Sequence, residues 1–316
     1  MNIVKSLNDI SACYDDNKSL KKRHFFFNEL LSKFHTADLL YSDPIYFVRQ
    51  YSKPLDQEVV GFLCASFSYG SVNQIQHAIK QVLLPMQSHP YEFIKNYDGK
   101  NYWPHFYYRF HKSTHLQVLL KVLQLALTEY GSLGELFKQK ARQHTTQNLC
   151  VQILSDVSRY FCKQVEDVLK KEKTKELWRG LRFFFNSPEN GSACKKLLMY
   201  LRWMVRKDHI DLGLWPWIST SQLIIPTDTH VARLAYYLNL RKGKEESAPN
   251  WKMAIEITES LKKINPEDPV CYDFALTRLG ILNICKRKYI NSICNKCPVE
   301  GMCRFSSELG NHARTN

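Results

Sequence analysis

Apolar residues recur along much of the chain at the three-to-four-residue spacing of a helical face. The clearest case is segment 113–131, which opens on the capping residues Ser113 and Thr114 and ends at Gly131. One face of this predicted helix carries leucines only: Leu116, Leu119, Leu120, Leu123 and Leu127.

Further segments share this pattern, and turn-forming or charged residues separate them. Breaks fall at 42–44, 96–99, 186–191 and 241–249, of which the last predicts an exposed loop. Strict alternation of apolar and polar residues is scarce, which argues against a large sheet. The pattern predicts an all-α fold with helices near 59–69, 71–85, 150–168, 197–205, 231–238, 251–261 and 270–284.

Composition narrows the class of protein. With 316 residues, 44% of them apolar, the chain can form one large or two smaller domains. It has no run of about 18 apolar residues, so we predict no membrane span. The first residues, 1–5, lack a hydrophobic signal core, so we expect a cytoplasmic protein.

The charge balance indicates an anionic partner. Lysine and arginine outnumber aspartate and glutamate by 44 to 30, a net charge of +14. Such a surplus favours nucleic acid, since neutralising phosphates releases counterions. A basic surface without a polymeric partner is the alternative.

The chain has ten cysteines, and four of them crowd into the 19 residues from Cys285 to Cys303. Cys285, Cys294, Cys297 and Cys303 give the spacing C-x8-C-x2-C-x5-C. Thiolates are soft ligands, and four of them suit zinc or an iron–sulfur cluster. Zinc motifs more often pair two C-x2-C knuckles, so a [4Fe–4S] cluster is favoured here over zinc.

Cations lie between these cysteines, at Lys286, Arg287 and Lys288. A loop stapled by a metal centre and rich in cations can bind phosphates. A merely solvated basic loop is the other interpretation.

Two further features could carry chemistry. Asp228 follows Pro226 at a predicted helix start, where it is either an ordinary N-cap or a carboxylate beside a reacting centre. Lys195 and Lys196 begin the predicted helix near 197–205. Either lysine is solvated, or one is an amine nucleophile activated by burial and by its neighbour's charge.

Together these parts resemble the helix-hairpin-helix DNA glycosylases, of which endonuclease III is an iron–sulfur member. Residues 63–74 are similar to the family's L-L-S-x-Q-x-x-x-x-S-V-N segment, and residues 226–234 to its V-D-T-H-V-x-R-V signature. Residues 285–303 resemble its cluster loop, C-x6-C-x2-C-x5-C. The three segments occur in the family's order.

The chain also departs from that pattern. The hairpin L-P-G-V-G-x-K-T-A is only hinted at around Gly191, and Ala193 replaces its lysine. Lys195 and Lys196 precede Asp228 by 33 and 32 residues, a wider gap than in classical members. This gap is similar to that of the archaeal 8-oxoguanine glycosylases, and the whole chain resembles a little-characterised bacterial branch.

The resemblance implies a base-excision repair glycosylase with AP lyase activity. Such an enzyme flips a damaged base, such as an oxidised purine, out of double-stranded DNA. Asp228 and either Lys195 or Lys196 would be catalytic. Where the family intercalates a glutamine the chain has Ser66, so Phe67 or Tyr69 would replace it. Candidates for stacking on the flipped base are Phe183, Trp203 and Trp215.

The resemblance also implies a monomer with two helical lobes and a cleft between them. One lobe is expected at 59–205, and the other at 1–58 with 206–316, which carries the cluster loop 285–303. Two rival functions remain open at this point. One is a non-catalytic DNA lesion or structure sensor on the same fold, and the other is a zinc-stabilised RNA-binding protein.

Overall fold

The computed structural model describes residues 17–144, 148–170 and 174–306, and this part of the chain is mostly helical. The chain divides into two compact units. The central unit is Ala37–Leu223, and the terminal unit combines Met1–Thr36 with Ile224–Asn316. The mainly helical architecture expected from the sequence is confirmed.

Most regular elements of the described residues are α-helices. In chain order they are α1 (Asn17–Phe34), α2 (Ile45–Val48), α3 (Pro54–Ser66), α4 (Val72–Leu83), α5 (Pro90–Lys95), β1 (Tyr107–Tyr108), β2 (His111–Lys112), α6 (Ser113–Tyr130), α7 (Leu133–Ala141), α8 (Leu149–Leu169), α9 (Lys175–Phe184), α10 (Lys195–Val205), α11 (Thr229–Tyr237), α12 (Trp251–Lys262), α13 (Asp273–Ile281) and α14 (Asn291–Cys294).

Several helix ends lie where capping residues in the sequence predicted them. Ser71 caps α4, where its side chain and that of Gln74 form a capping box. Gly131 ends α6 with a φ of 80°, a conformation that favours glycine. The leucine face of segment 113–131 is buried as predicted.

The core of the central unit forms where α3 packs against α10, α2 and α5, while α6 packs against α8 and α9. The Glu58 carboxylate lies inside this core. It accepts hydrogen bonds from the Trp215 indole (2.8 Å) and from the Gly134 backbone N–H (3.0 Å). The first turn of α7 and the segment after α10 are thereby fixed to α3.

Residues 37–58 and 206–223, expected in the second lobe, belong instead to the central unit. The reason lies in the turn after α10. Arg49 donates hydrogen bonds to the carbonyls of Asp208, Ile210 and Asp211. Asp211 is buried and forms ion pairs with Arg202 and Arg206 of α10 or its end. This network holds both segments on α10.

In the terminal unit, α13 packs against α1 and α11. Phe27 of α1 meets Tyr272, just before α13, edge to face, with ring centroids 4.7 Å apart. The N-terminal helix is thereby joined to chain that follows it by more than 200 residues. Among the described helices, none has both the length and the apolar character needed to cross a membrane.

Candidate functional site

The connection from α9 to α10 is a tight turn. A short 3-10 helix, Pro188–Asn190, is capped by the Ser187 side chain and closes at Gly191, whose φ is 70°. Cys194 also has a positive φ, 48°, and immediately precedes α10. This backbone places the two lysines in the first turn of α10.

The structure separates the two lysines. Lys195 is half-buried and donates a hydrogen bond to the Ser68 carbonyl at 2.8 Å. Lys196 is only 7% exposed, and its amine donates to the Phe183 carbonyl. Lys196 is therefore the lysine that the fold removes from water.

Aromatic rings surround the Lys196 amine. Its Nζ lies 3.3 Å from the Phe183 ring centroid, 5.6 Å from that of Phe184 and 5.8 Å from that of Tyr69. Burial holds the pKa of Lys196 well below its usual value, and the charge of Lys195 lowers this pKa further. An amine in this position is neutral over a wider pH range, and a neutral amine is a nucleophile.

Tyr69 and His111 form a partly buried hydrogen-bonded pair beside this amine. The His111 Nε2 lies 2.9 Å from the Gly180 carbonyl, and its Nδ1 bonds the Tyr69 hydroxyl. Burial lowers the pKa of His111 to about 3, so its ring is neutral at physiological pH. A carbonyl can only accept, so Nε2 carries the proton and the Tyr69 hydroxyl donates to Nδ1.

Of the residues expected to contact DNA by intercalation, Ser66 and Phe67 are buried. The Ser66 hydroxyl donates to the Phe62 carbonyl, and Phe67 packs edge to face on Phe106 and Phe184. Their positions argue against either as an intercalating side chain. Tyr69 is half-buried beside Lys196.

The three candidate base-stacking residues differ in position. Phe183 contacts the Lys196 amine and is partly exposed. Trp203 and Trp215 are buried, and Trp215 packs on Phe137 and Tyr200. Only Phe183 of the three lies at the lysine site.

Asp228 caps α11 in the terminal unit. Its Oδ1 accepts hydrogen bonds from the backbone N–H groups of His230 and Val231, both at 2.9 Å. The capping role expected as one alternative is confirmed. The carboxylate is partly exposed, so the cap does not bury it.

Backbone N–H groups point at all four sulfurs of the cysteine segment. The amides of Arg287, Val299 and Phe305 bond the sulfurs two residues before them. The fourth sulfur, that of Cys294, accepts from the Ile290 amide at 3.3 Å. Such bonds stabilise thiolates and are a means by which proteins tune iron–sulfur clusters.

The cysteine sulfurs are close enough to influence one another electrostatically. Burial raises the pKa of Cys285, Cys297 and Cys303, and the neighbouring thiols raise it further. Among the described residues, these sulfurs form no group of three within 4.8 Å of one another. A single zinc ion would hold its sulfurs about 3.8 Å apart.

Lys286, Arg287 and Lys288 are exposed. The first two help to line a cavity of about 240 Å³ in the terminal unit, with His230, Arg233 and Asn283 also in its wall. This cavity opens beside the first turn of α11, which Asp228 caps. Its lining is cationic and contains no carboxylate.

Sequence reasoning missed His111 and the β1–β2 hairpin. The available signal was the aromatic run 106–111, Phe-Tyr-Tyr-Arg-Phe-His, which has no helical spacing. Tyr108 and His111 pair in the two-stranded sheet and face the lysine site, where the Tyr108 hydroxyl donates to the Tyr69 carbonyl.

Residues 43–282 match a family described as "Protein of unknown function (DUF2400)". The match spans more than half of the 316 residues, so the chain belongs to that family. It includes Lys196 and Asp228 and ends before Cys285. No curated protein and no solved structure matches the chain.

Proposed function

We propose that this protein is a DNA glycosylase with associated AP lyase activity, in which the Lys196 amine is the nucleophile. The observation that carries the proposal is the burial of this amine among aromatic rings, where the charge of Lys195 also acts on it. Desolvation and a neighbouring cation are two ways in which proteins activate a lysine.

In the proposed reaction, the Lys196 lone pair attacks C1′ of the damaged nucleotide. The bond from C1′ to the base breaks, and its electron pair leaves with the base, which takes up a proton. The amine bonded to C1′ gives up one proton, the C1′–O4′ bond breaks, and O4′ takes up a proton, which leaves a protonated Schiff base. Loss of a C2′ proton then expels the 3′-phosphate and cleaves the strand.

Asp228 is the proposed carboxylate of this reaction. By the resemblance, it would act as the carboxylate base of the reaction and stabilise positive charge on the sugar. Its two bonds to the first turn of α11 hold the side chain in one orientation. The cationic cavity beside that turn fits a backbone phosphate of double-stranded DNA.

The proposed substrate is an oxidised purine such as 8-oxoguanine, by likeness to the archaeal enzymes. A base flipped toward Lys196 would meet the Phe183 and Tyr69 rings, which offer stacking faces. Stacking accepts any base, so hydrogen bonds must supply the selectivity.

Borohydride trapping tests the nucleophile directly. Duplexes containing 8-oxoguanine, an oxidised pyrimidine, uracil or an abasic site are incubated with the protein and reduced. We expect a covalent adduct that Lys196→Ala abolishes and that Lys195→Ala, its matched neighbour, retains. An adduct that depends on Lys195 alone would contradict the assignment of Lys196.

The alternative is a DNA lesion sensor without chemistry. The Lys196 amine already donates to the Phe183 carbonyl, an interaction that a structural lysine also makes. Tight binding to a lesion duplex, with neither adduct nor base release, would favour the sensor and refute the enzyme.

We also propose that Cys285, Cys294, Cys297 and Cys303 hold a [4Fe–4S] cluster. Four thiolates that accept hydrogen bonds from backbone amides suit such a cluster. Each sulfur would bind a different iron, so the sulfurs would lie farther apart than they do around zinc. The cluster would supply structure to the basic loop around Lys286 rather than chemistry at the sugar.

Metal analysis separates the alternatives. Anaerobically purified protein should be brown and contain about four irons and four sulfides per chain, whereas a zinc protein would be colourless. Cys297→Ser should lose the colour, and Cys162→Ser, a half-buried cysteine outside the segment, should keep it. Stoichiometric zinc without iron would refute the cluster.

A further inference from the structure

The β1–β2 hairpin presents an aromatic and cationic tip beside the lysine site. Tyr107 is 65% exposed and Phe110 is 44% exposed, whereas Tyr108 and His111 face inward. The two-residue turn between the strands is Arg109–Phe110, and Arg109 is exposed. The exposed rings therefore lie at or next to a tight turn.

Hydrogen bonds and ring contacts fix the inward-facing side of this hairpin. The Tyr108 hydroxyl bonds the Tyr69 carbonyl, and His111 bonds both Tyr69 and Gly180. The inner edge of Phe110 packs on the Phe183 ring, with centroids 5.0 Å apart. The Phe183 ring also contacts the Lys196 amine, so Phe110 and the proposed nucleophile contact the same ring.

Arg109, the first residue of the turn, has a backbone conformation that does not favour stability. Arg109 has a φ of 57°, a conformation that two-residue hairpins ordinarily give to asparagine or glycine. A long cationic side chain in this conformation is strained, and such strain clusters at functional positions.

The sequence segment that contains the hairpin carries charge of one sign. No aspartate or glutamate occurs between Asp98 and Glu129 in the sequence. Arg109 lies between Tyr107 and Phe110 in the sequence, and Lys112 forms an exposed ion pair with Glu176 at 3.1 Å. Exposed rings next to a cation match a nucleic acid, whose bases stack and whose phosphates are anionic.

We propose that the hairpin tip, through Phe110, Tyr107 and Arg109, inserts into the base stack of duplex DNA where a base has left it. This inference rests on the proposed function and assigns the role to a segment other than 66–69. Phe110 fills the gap left by the flipped nucleotide, Tyr107 stacks on the adjoining base, and Arg109 binds a flanking phosphate.

The test is binding to a duplex with a tetrahydrofuran abasic site and 2-aminopurine as the neighbouring base. Wild-type protein should raise the 2-aminopurine fluorescence as it unstacks that base. Phe110→Ala should remove this signal and weaken binding by about 5- to 150-fold, the effect of one stacked base. Tyr102→Ala is the control, because Tyr102 is similarly exposed and packs on Phe93 and Trp103 instead.

A second pair of variants covers the case in which Phe110→Ala disturbs the fold. Arg109→Gly relieves the positive φ while removing the cation, so it should keep or raise the melting temperature and still weaken binding. Lys170→Gly makes the same change at another exposed cation with a positive φ, 41°, and should leave binding unchanged.

The outcomes are separable. If wild-type protein binds the duplex but the hairpin variants match their controls, the hairpin inference is overturned and the glycosylase proposal stands. If wild-type protein binds no duplex, both are overturned.

Discussion

Replacing Lys196 by methionine should stabilise the central unit and change how its stability depends on pH. Methionine keeps the unbranched shape and removes the amine that the fold desolvates. Above about pH 10.4, the lysine is neutral in both the folded and unfolded chains, and the two proteins should differ least.

The sign of the effect follows from the depressed pKa of Lys196. As the pH falls below the unfolded value, the unfolded amine takes up a proton and the folded amine does not. The folded state therefore loses about 1.36 kcal/mol per pH unit relative to the unfolded state until the folded pKa is reached. Wild type should therefore lose stability between pH 10 and pH 8, and Lys196→Met should lack that loss.

Urea unfolding at pH 8, 9 and 10, followed by tryptophan fluorescence, measures this difference. The signal reports on the central unit, because every tryptophan except Trp251 lies there. Lys121→Met, which removes an exposed lysine on α6, should keep the wild-type slope. Equal slopes for wild type and Lys196→Met would show that the folded amine is protonated, and the nucleophile assignment would fail.

Three further changes test other parts of the structure. Asp211→Asn should destabilise the protein by about 3–5 kcal/mol in urea unfolding, because it removes the buried carboxylate that Arg202 and Arg206 share, although Arg206 keeps its ion pair with Asp208. Asp98→Asn, at an exposed ion pair, is the control, and an equal loss there would contradict the argument from burial. Gly180→Ala should lower stability by about 1–3 kcal/mol, since the new Cβ would overlap the His115 ring. Gly280→Ala, whose Cβ would meet His230 at 3.4 Å, should be tolerated, and similar melting temperatures for the two variants would contradict the packing argument. Asp228→Asn should retain the cap of α11 and its stability to within about 0.5 kcal/mol while abolishing base excision; full excision by this variant would remove Asp228 from the mechanism.

The parts of the fold that the sequence predicted are those with local causes. The capping box at Ser71, the α6 stop at Gly131 and the Asp228 cap each depend on residues within one helical turn. The boundary of the central unit depends on long-range bonds instead. Arg49 reaches carbonyls that follow it by about 160 residues, and α2 is too short to show a period.

The candidate site shows the same limit. The sequence does not distinguish the environments of the two adjacent lysines. In a helix, however, consecutive side chains point in directions that differ by about 100°. That rotation places Lys196 under Phe183 and leaves Lys195 beside Ser68. The Tyr69–His111 bond joins residues 42 apart, so no local pattern could reveal it.

The buried cations along α10 and its end provide an internal comparison. Arg202 and Arg206 are compensated by the Asp211 carboxylate, whereas the bonds of Lys196 go to a backbone carbonyl and aromatic faces. Burying an amine without a carboxylate costs stability, and a leucine or methionine would fill the same space without that cost. The bond to the Phe183 carbonyl and the contact with its ring offset part of that cost in a structural role. The proposed nucleophile gives the remaining cost a use, since the desolvation that destabilises the fold is the same desolvation that keeps the amine unprotonated and reactive.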